Sequence, residues 1–366
     1  MSGSTTFQKY VLPGLVFQSI IIGGGYGTGR EMAEFFLSQG PVGGLIGMLV
    51  SSLIMSVVLA LTFELARRFQ TFDYRTFMQR LIGKGWYLFE VIYLIMLVLI
   101  VSVMGSAAGE LLERMLGWPQ MVGIVVLIAA VGGMAFFGND LIEKVFSVWS
   151  FALYFTFFAV IVVALVMFGD RIGAIITDFD SDSKWLMSGI TYAGYNVGLA
   201  PCGFFVLRHL STQKEAISSG LIAGALGMIP AFFVFVGMLA VYPEVLTESI
   251  PVDLLLVEIG SPWLRVLFQV VLFGTLIETG VGVIHGFNER VAGVYREKGK
   301  EMPPGLRIGI AAVLLLMAIF LADAIGIVDL ISKGYGTLTW GYWAVYLIPV
   351  LIIGVWRIWF KKDSTD

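Results

Sequence analysis

Long apolar runs, separated by short polar or Gly/Pro turns, fill almost the whole chain. Runs of spanning length fall at about 11–38, 42–66, 86–112, 120–138, 145–168, 185–207, 217–242, 262–287, 305–323 and 338–360. Each holds roughly 20 residues or more, enough as a helix to cross a hydrocarbon core of about 30 Å. Gly40-Pro41, Gly117-Trp118-Pro119 and the basic stretch Tyr295 to Pro304 punctuate them. The piece 325–335, IGIVDLISKGY, is too short to span and reads as a re-entrant or interfacial half-helix. This pattern predicts an all-α polytopic membrane protein with ten transmembrane helices.

Composition agrees with that reading. The 366 residues are 58% hydrophobic and 13% charged, whereas soluble domains carry about 25% charged residues. Mean hydropathy is +0.90, and no polar stretch is long enough to fold alone. A net charge of −3 excludes nucleic acid as a partner, and the partners expected are a small-molecule solute and the lipid bilayer. The single cysteine, Cys202, rules out an intramolecular disulfide. Residues Met1 to Tyr10 are polar, and no A-x-A site follows the first apolar run, which reads as a retained helix and not a signal peptide.

Lys and Arg set the orientation, because cytoplasmic loops retain them. With the amino terminus inside, 17 basic residues fall on the cytoplasmic side and 6 on the other. Acids crowd the outer loops: Asp170, Asp178, Asp180, Asp182, Glu244, Glu248, Asp253 and Glu258. An even number of crossings with both termini cytoplasmic fits, in the cytoplasmic membrane of a bacterium or archaeon.

Two spans carry interruptions in matching places. The first reads GLVFQSIIIGGGYGTGREMAEFF, with Gly23, Gly24, Gly25, Gly27 and Gly29 inside seven residues. Each interior glycine costs a helix roughly 1 kcal/mol relative to alanine. Naked backbone at bilayer depth survives only where it lines a cavity or is buried in protein. The sixth span reads TYAGYNVGLAPCGFF, where Pro201 removes a backbone donor and predicts a break at 196–200. Close helix packing and a simple proline kink are the bland alternatives. The breaks lie about 172 residues apart, with five spans before the second broken one. Paired interruptions in inverted halves point to a transporter site.

Charges inside the spans add candidate chemistry. Arg30 and Glu34 are i,i+4, so they either pair on one helix face or Arg30 clamps a solute carboxylate or replaces a coupling cation. Thr275, Glu278, Gly282, His285 and Glu289 follow a 3-4-3-4 spacing along one face of the eighth span. Glu278 and His285 are placed to relay a proton, while Thr275 and Thr279 offer hydroxyl oxygens to sodium. Alternatively, Glu278 pairs with Arg30 or another basic group, and His285 is an ordinary interfacial residue. Tyr26, Tyr192, Tyr195, Phe204 and Phe205 flank the breaks, and Glu110, Glu113 and Arg114 read as a solvated outer cluster. Two histidines, one cysteine and no H-E-x-x-H or G-x-S-x-G constellation argue against an enzyme.

The stretches IIGGGYGTGREMAEFF, ETGVGVIHGFNER and GIVDLISKGYGTL together resemble the YkvI-type membrane proteins, amino acid permeases of the amino acid–polyamine–organocation (APC) superfamily. The resemblance implies the LeuT-like fold: five plus five inverted repeats, with helices 1 and 6 discontinuous. The first repeat would cover 1–168, an external loop 169–184, the second repeat 185–360 and a cytoplasmic tail 361–366. The solute site would then comprise Gly23, Gly24, Gly25, Tyr26, Gly27, Thr28, Tyr195, Asn196, Val197, Gly198, Leu199 and Ala200. Arg30, Glu34, Thr275, Glu278, Thr279 and His285 would serve coupling or gating. Sodium-coupled relatives place sodium against the eighth helix, where Thr275 and Thr279 match; Glu278 beside Thr279 departs from the usual adjacent hydroxyls and favours a proton. Some proton-linked relatives use a lysine in the fifth helix; Lys144 sits at the cytoplasmic entrance of that helix, too shallow for that place. The expected function is secondary active transport of an amino acid or similar zwitterion by alternating access, coupled to H+ or Na+ and needing no cofactor. The alternative is a non-transporting nutrient receptor on the same fold. Substrate, coupling ion and oligomeric state are not legible.

Overall fold

The computed structural model describes residues 5–134, 139–177 and 184–360, with side chains at all of these except 139–148, 150, 151, 285, 286, 289, 293, 296 and 297. Every regular element among them is helical. The chain enters through α1 (Thr6–Tyr10), held by a capping box between Thr5 and Gln8. Next comes α2 (Leu12–Ile21), with Pro13 in its first turn, where a missing N–H costs nothing. A glycine turn, α3 (Gly24–Gly27), and a short helix, α4 (Arg30–Phe35), complete the first apolar run. Gly40 (φ +78°) turns the chain into α5 (Pro41–Phe69).

The basic stretch that follows contains an amphipathic helix, α6 (Tyr74–Ile82), capped by Asp73 and burying Phe77, Met78 and Leu81. The apolar pattern left this stretch between two spans with no element of its own. Phe77 packs edge-on against Phe204 at 4.9 Å, so α6 supports the sixth span from one end of the bundle. Then come α7 (Trp86–Leu116), α8 (Gln120–Met134) and α9 (Asn139–Thr177), which is kinked at Phe168 and runs past the expected span end. The second half holds α10 (Trp185–Gly198), a 3-10 segment Ala200–His209, α11 (Gln213–Met238) and the short lid helix α12 (Pro251–Ile259). It closes with α13 (Pro262–Glu297), α14 (Pro304–Ile325) and the last helix, Ile327–Trp359.

Among the described residues seven helices are long and apolar enough to cross a membrane, or eight if α10 and Ala200–His209 form one bent span; α2 and α8 are shorter and apolar. The chain is a multi-pass membrane protein. The segment 325–335 is not a separate half-helix. Gly326 (φ +77°) ends α14, and the chain then runs without a break from Ile327 to Trp359, through a wider π-helical stretch at Leu330–Tyr335. An apolar run that looked too short to span is the beginning of the final one.

Small residues let the central helices meet closely. A Cβ at Gly220 or Gly224 would strike the backbone of Ala60 or Ser56, so α11 packs backbone-to-backbone on α5. Gly189 places α10 the same way against the Gly47 carbonyl of α5. Only 22% of the apolar window of α14 and 28% of that of α9 is buried, against 67% for the window in Tyr74–Leu116. Hence α7 runs through the centre, while α9 and α14 present Phe155, Phe158, Leu316 and Phe320 outward, as lipid-facing helices do.

Candidate solute-binding site

The site grows from the interruption after α2. Ile22 (ψ 88°) leaves the helix and Gly23 is extended (φ −114°, ψ −162°). Helical bonding resumes with the Gly27 N–H on the Gly23 carbonyl at 2.8 Å. The unwound stretch is therefore narrower than the glycine cluster, and Gly24 to Gly27 form one helical turn. Gly29 (φ +81°), a conformation that disfavours any side chain, re-aims the chain into α4. In the sixth span, α10 runs through Asn196 and Val197 to Gly198, and the axis bends by 59° before Ala200–His209. Asn196 returns its side-chain amide to the Tyr192 carbonyl at 2.9 Å.

Between these interruptions and α13 lies a cavity of about 500 Å³. Of the residues expected at the site, Gly23, Tyr195, Asn196, Leu199, Thr275, Glu278 and Thr279 line it. Gly24, Gly25, Tyr26, Gly27 and Thr28 are buried behind the wall, and Val197, Gly198 and Ala200 also lie off the lining. A Cβ at Gly24 would meet Met104 of α7 at 3.1–3.2 Å, so this glycine serves packing. Tyr26 reaches away from the cavity, its hydroxyl 3.4 Å from the Gly227 carbonyl. Thr28 accepts from the Arg30 N–H and donates to the Gly25 carbonyl, which fixes the turn. The His285 and Lys144 side chains lie outside the described residues.

Glu31, adjacent to the expected pair, is the residue that sequence reasoning missed. Its side chain is buried, lines the cavity and folds back over Gly25, where a Cβ would come 2.5 Å from Oε1. The Tyr195 hydroxyl donates to Oε2 at 2.7 Å. Among the described residues no cation pairs with it. Tyr195 in turn stacks at a tilt on Tyr335, 5.1 Å between centroids, and both rings line the cavity.

On α13, Thr275 donates to the Val271 carbonyl at 2.9 Å and Thr279 to the Thr275 carbonyl at 3.0 Å. Their protons are spent on their own helix, leaving hydroxyl lone pairs toward α2. The Thr279 hydroxyl lies 3.5 Å from the Ile22 carbonyl that the interruption has freed. A hard cation at this point would find only oxygen ligands.

Arg30 lies outside the cavity wall. It donates to Glu34 at 2.6 Å and to the carbonyls of Leu246 and Glu248 at 2.7 and 3.0 Å. Glu34 thus holds Arg30 while Arg30 holds the segment leading into lid helix α12. The Val252 N–H adds a bond to the Thr28 carbonyl at 3.1 Å. Arg114 bridges Glu110 and Glu248 at 3.0 and 2.9 Å, and the buried Asp253 takes a fork of bonds from Arg265 at 2.7 and 2.8 Å. Of the residues expected as a solvated cluster, Glu113 is exposed, whereas Glu110 and Arg114 are half-buried and ion-paired. The lining also includes exposed Ser19, Phe205 and Gly282. Elsewhere Lys9 pairs with Glu215 at 2.7 Å and Arg290 with Glu90 at 2.6 Å.

No family model matches the chain. It is 24% identical over 340 residues to the uncharacterized membrane protein YkvI of Bacillus subtilis (strain 168), covering 92% of this chain and 93% of that one. Among solved structures it superposes on a substrate-bound, outward-open Na+-coupled sialic acid symporter with TM-score 0.65 and 12% identity, over 96% of this chain and 80% of that one. It superposes on MhsT in complex with L-phenylalanine with TM-score 0.58 and 14% identity, over 98% and 90% of the two chains. A manganese transporter of Eremococcus coleocola gives TM-score 0.52 at 13% identity, over 96% and 81%. The chain is thus a membrane protein with the LeuT-like fold of these transporters, similar to YkvI along nearly its whole length.

Proposed function

We propose that the chain is a secondary transporter that carries a small organic solute by alternating access, with ten spans arranged as two inverted five-helix repeats. In this reading α2 to α4 form the first, discontinuous span, and α10 with Ala200–His209 forms the sixth. The observation that carries the reading is a cavity at the two interruptions, with the segment leading into α12 held by Arg30 beyond its wall. A carrier needs such a gated centre, with the solute held where the backbone has left its helical bonding. The fold neighbours are themselves transporters, which supports carriage over catalysis.

Coupling to sodium or a proton follows from the α13 wall. Sodium would take the Ile22 carbonyl and the hydroxyls of Thr275 and Thr279; a proton would use Glu278. Among the described residues no three His, Cys, Asp or Glu side chains gather as a metal site, so a divalent metal is not the cargo favoured. Purified protein in liposomes tests the function directly. Tracer accumulation driven by a sodium or proton gradient, collapsing with an ionophore, is the expected result. Saturable binding without accumulation or counterflow overturns transport and marks a receptor.

A further inference from the structure

The charge of the cavity wall restricts what this transporter would take, and the restriction rests on the transport reading above. Among the described residues the lining holds two carboxyls, Glu31 and Glu278, and no Lys, Arg or His. Glu31 folds back over Gly25 at the interruption and receives the Tyr195 hydroxyl, so its carboxyl occupies the place that a solute carboxylate would seek there. A zwitterion entering here would bring its carboxylate toward the Glu31 and Glu278 carboxyls, with no basic side chain among the described lining residues to receive it, which costs binding. An entering ammonium, conversely, favours the ionised form of a buried carboxyl and pairs with it. The rings of Tyr195 and Tyr335 stand beside it and offer π-faces to an ammonium group. The rest of the wall, including Met96, Leu97, Ile100 and Phe205, is apolar.

We propose that the cavity selects organic amines that lack a free carboxylate, with the ammonium on Glu31 and an apolar or aromatic body along Leu97, Ile100 and Phe205. Glu31 supplies in the protein the anionic group that an amino acid would carry itself. Amino acids are then poor substrates, contrary to the expectation from the sequence.

Three probes sharing one ring system test this: phenethylamine, phenylalanine and 3-phenylpropionate. Thermal stabilisation of the purified full chain reads binding, since a ligand that binds only the folded state raises the midpoint with occupancy. Protection of the cavity-lining Cys202 from a maleimide reports that the probe sits in this cavity. Phenethylamine is expected to stabilise and protect, and the other two are not. Glu31→Gln keeps the shape and removes the charge, and should weaken phenethylamine by about tenfold or more. Phenylalanine binding as tightly as phenethylamine, no stabilisation by the amine, or an unchanged affinity in Glu31→Gln would each overturn the proposal. Liposome uptake separates the two levels. Accumulated phenylalanine leaves transport standing and removes the amine preference, whereas an amine that binds without accumulating removes transport and leaves the preference.

Discussion

Arg30 and Glu31 are neighbours in sequence with opposite assignments, because successive helical residues point about 100° apart. Arg30 faces the lid and Glu31 faces the cavity, so the six residues of α4 carry both a gate contact and a wall contact. Arg30→Gln deletes the charge on three bonds and should loosen the lid. We expect a cysteine introduced at Val252 to react with maleimide several-fold faster in that background, and an unchanged rate would remove Arg30 from the lid contacts. Thr279→Val keeps volume while removing a hydroxyl. If sodium binds at Ile22 and Thr279, the sodium concentration for half-maximal uptake should rise by about tenfold. Glu278→Gln should abolish concentrative uptake and spare counterflow; equal loss of both would make Glu278 structural. Thr275, Glu278 and Thr279 were legible because their spacing alone puts them on one helix face. Glu31 was not, since its direction depends on the left-handed turn at Gly29 and on Tyr195, 164 residues away.

At the scale of elements, glycine divides into two kinds that look alike in sequence. Gly224 lies against the Ser56 backbone, and a side chain there must push α11 off α5. Gly224→Val should cost about 3 kcal/mol by overpacking, seen as a lower melting temperature in detergent. Gly336, inside the last helix, has nothing within 4 Å of a new Cβ. Gly336→Ala should therefore be neutral or stabilising by up to about 1 kcal/mol. A melting temperature equally lowered by both would contradict the close α5–α11 packing. The same blindness affected the piece 325–335. Length read it as too short to span, but helices are ended by backbone geometry, and the stop falls at Gly326 and not at Gly334 or Gly336.

For the whole molecule, the carrier reading makes two sides unequal: Arg30, Arg114 and Arg265 tie the segment around α12, while exposed Ser19 and Phe205 belong to the cavity lining. Cysteines at Ser19 or Phe205, in a Cys202→Ser background, should be labelled by an impermeant maleimide from the face that carries the amino terminus. Arg30→Gln should slow that labelling as the population shifts toward a form opened at the lid. Unchanged labelling would mean that the lid contacts do not set which face is open.

The chain alone determined that it lives in a membrane, roughly where most spans run, and that two apolar runs carry dense glycine or a proline. These follow from local quantities, namely apolar length, glycine density and proline, which act on the backbone wherever the fold puts it. Only tertiary structure decided which glycines meet other helices, which of Arg30 and Glu31 faces the cavity, and where the lid closes. Those depend on groups brought together from distant parts of the chain, such as Glu31 with Tyr195 and Arg30 with Leu246, and no local pattern encodes a direction in space.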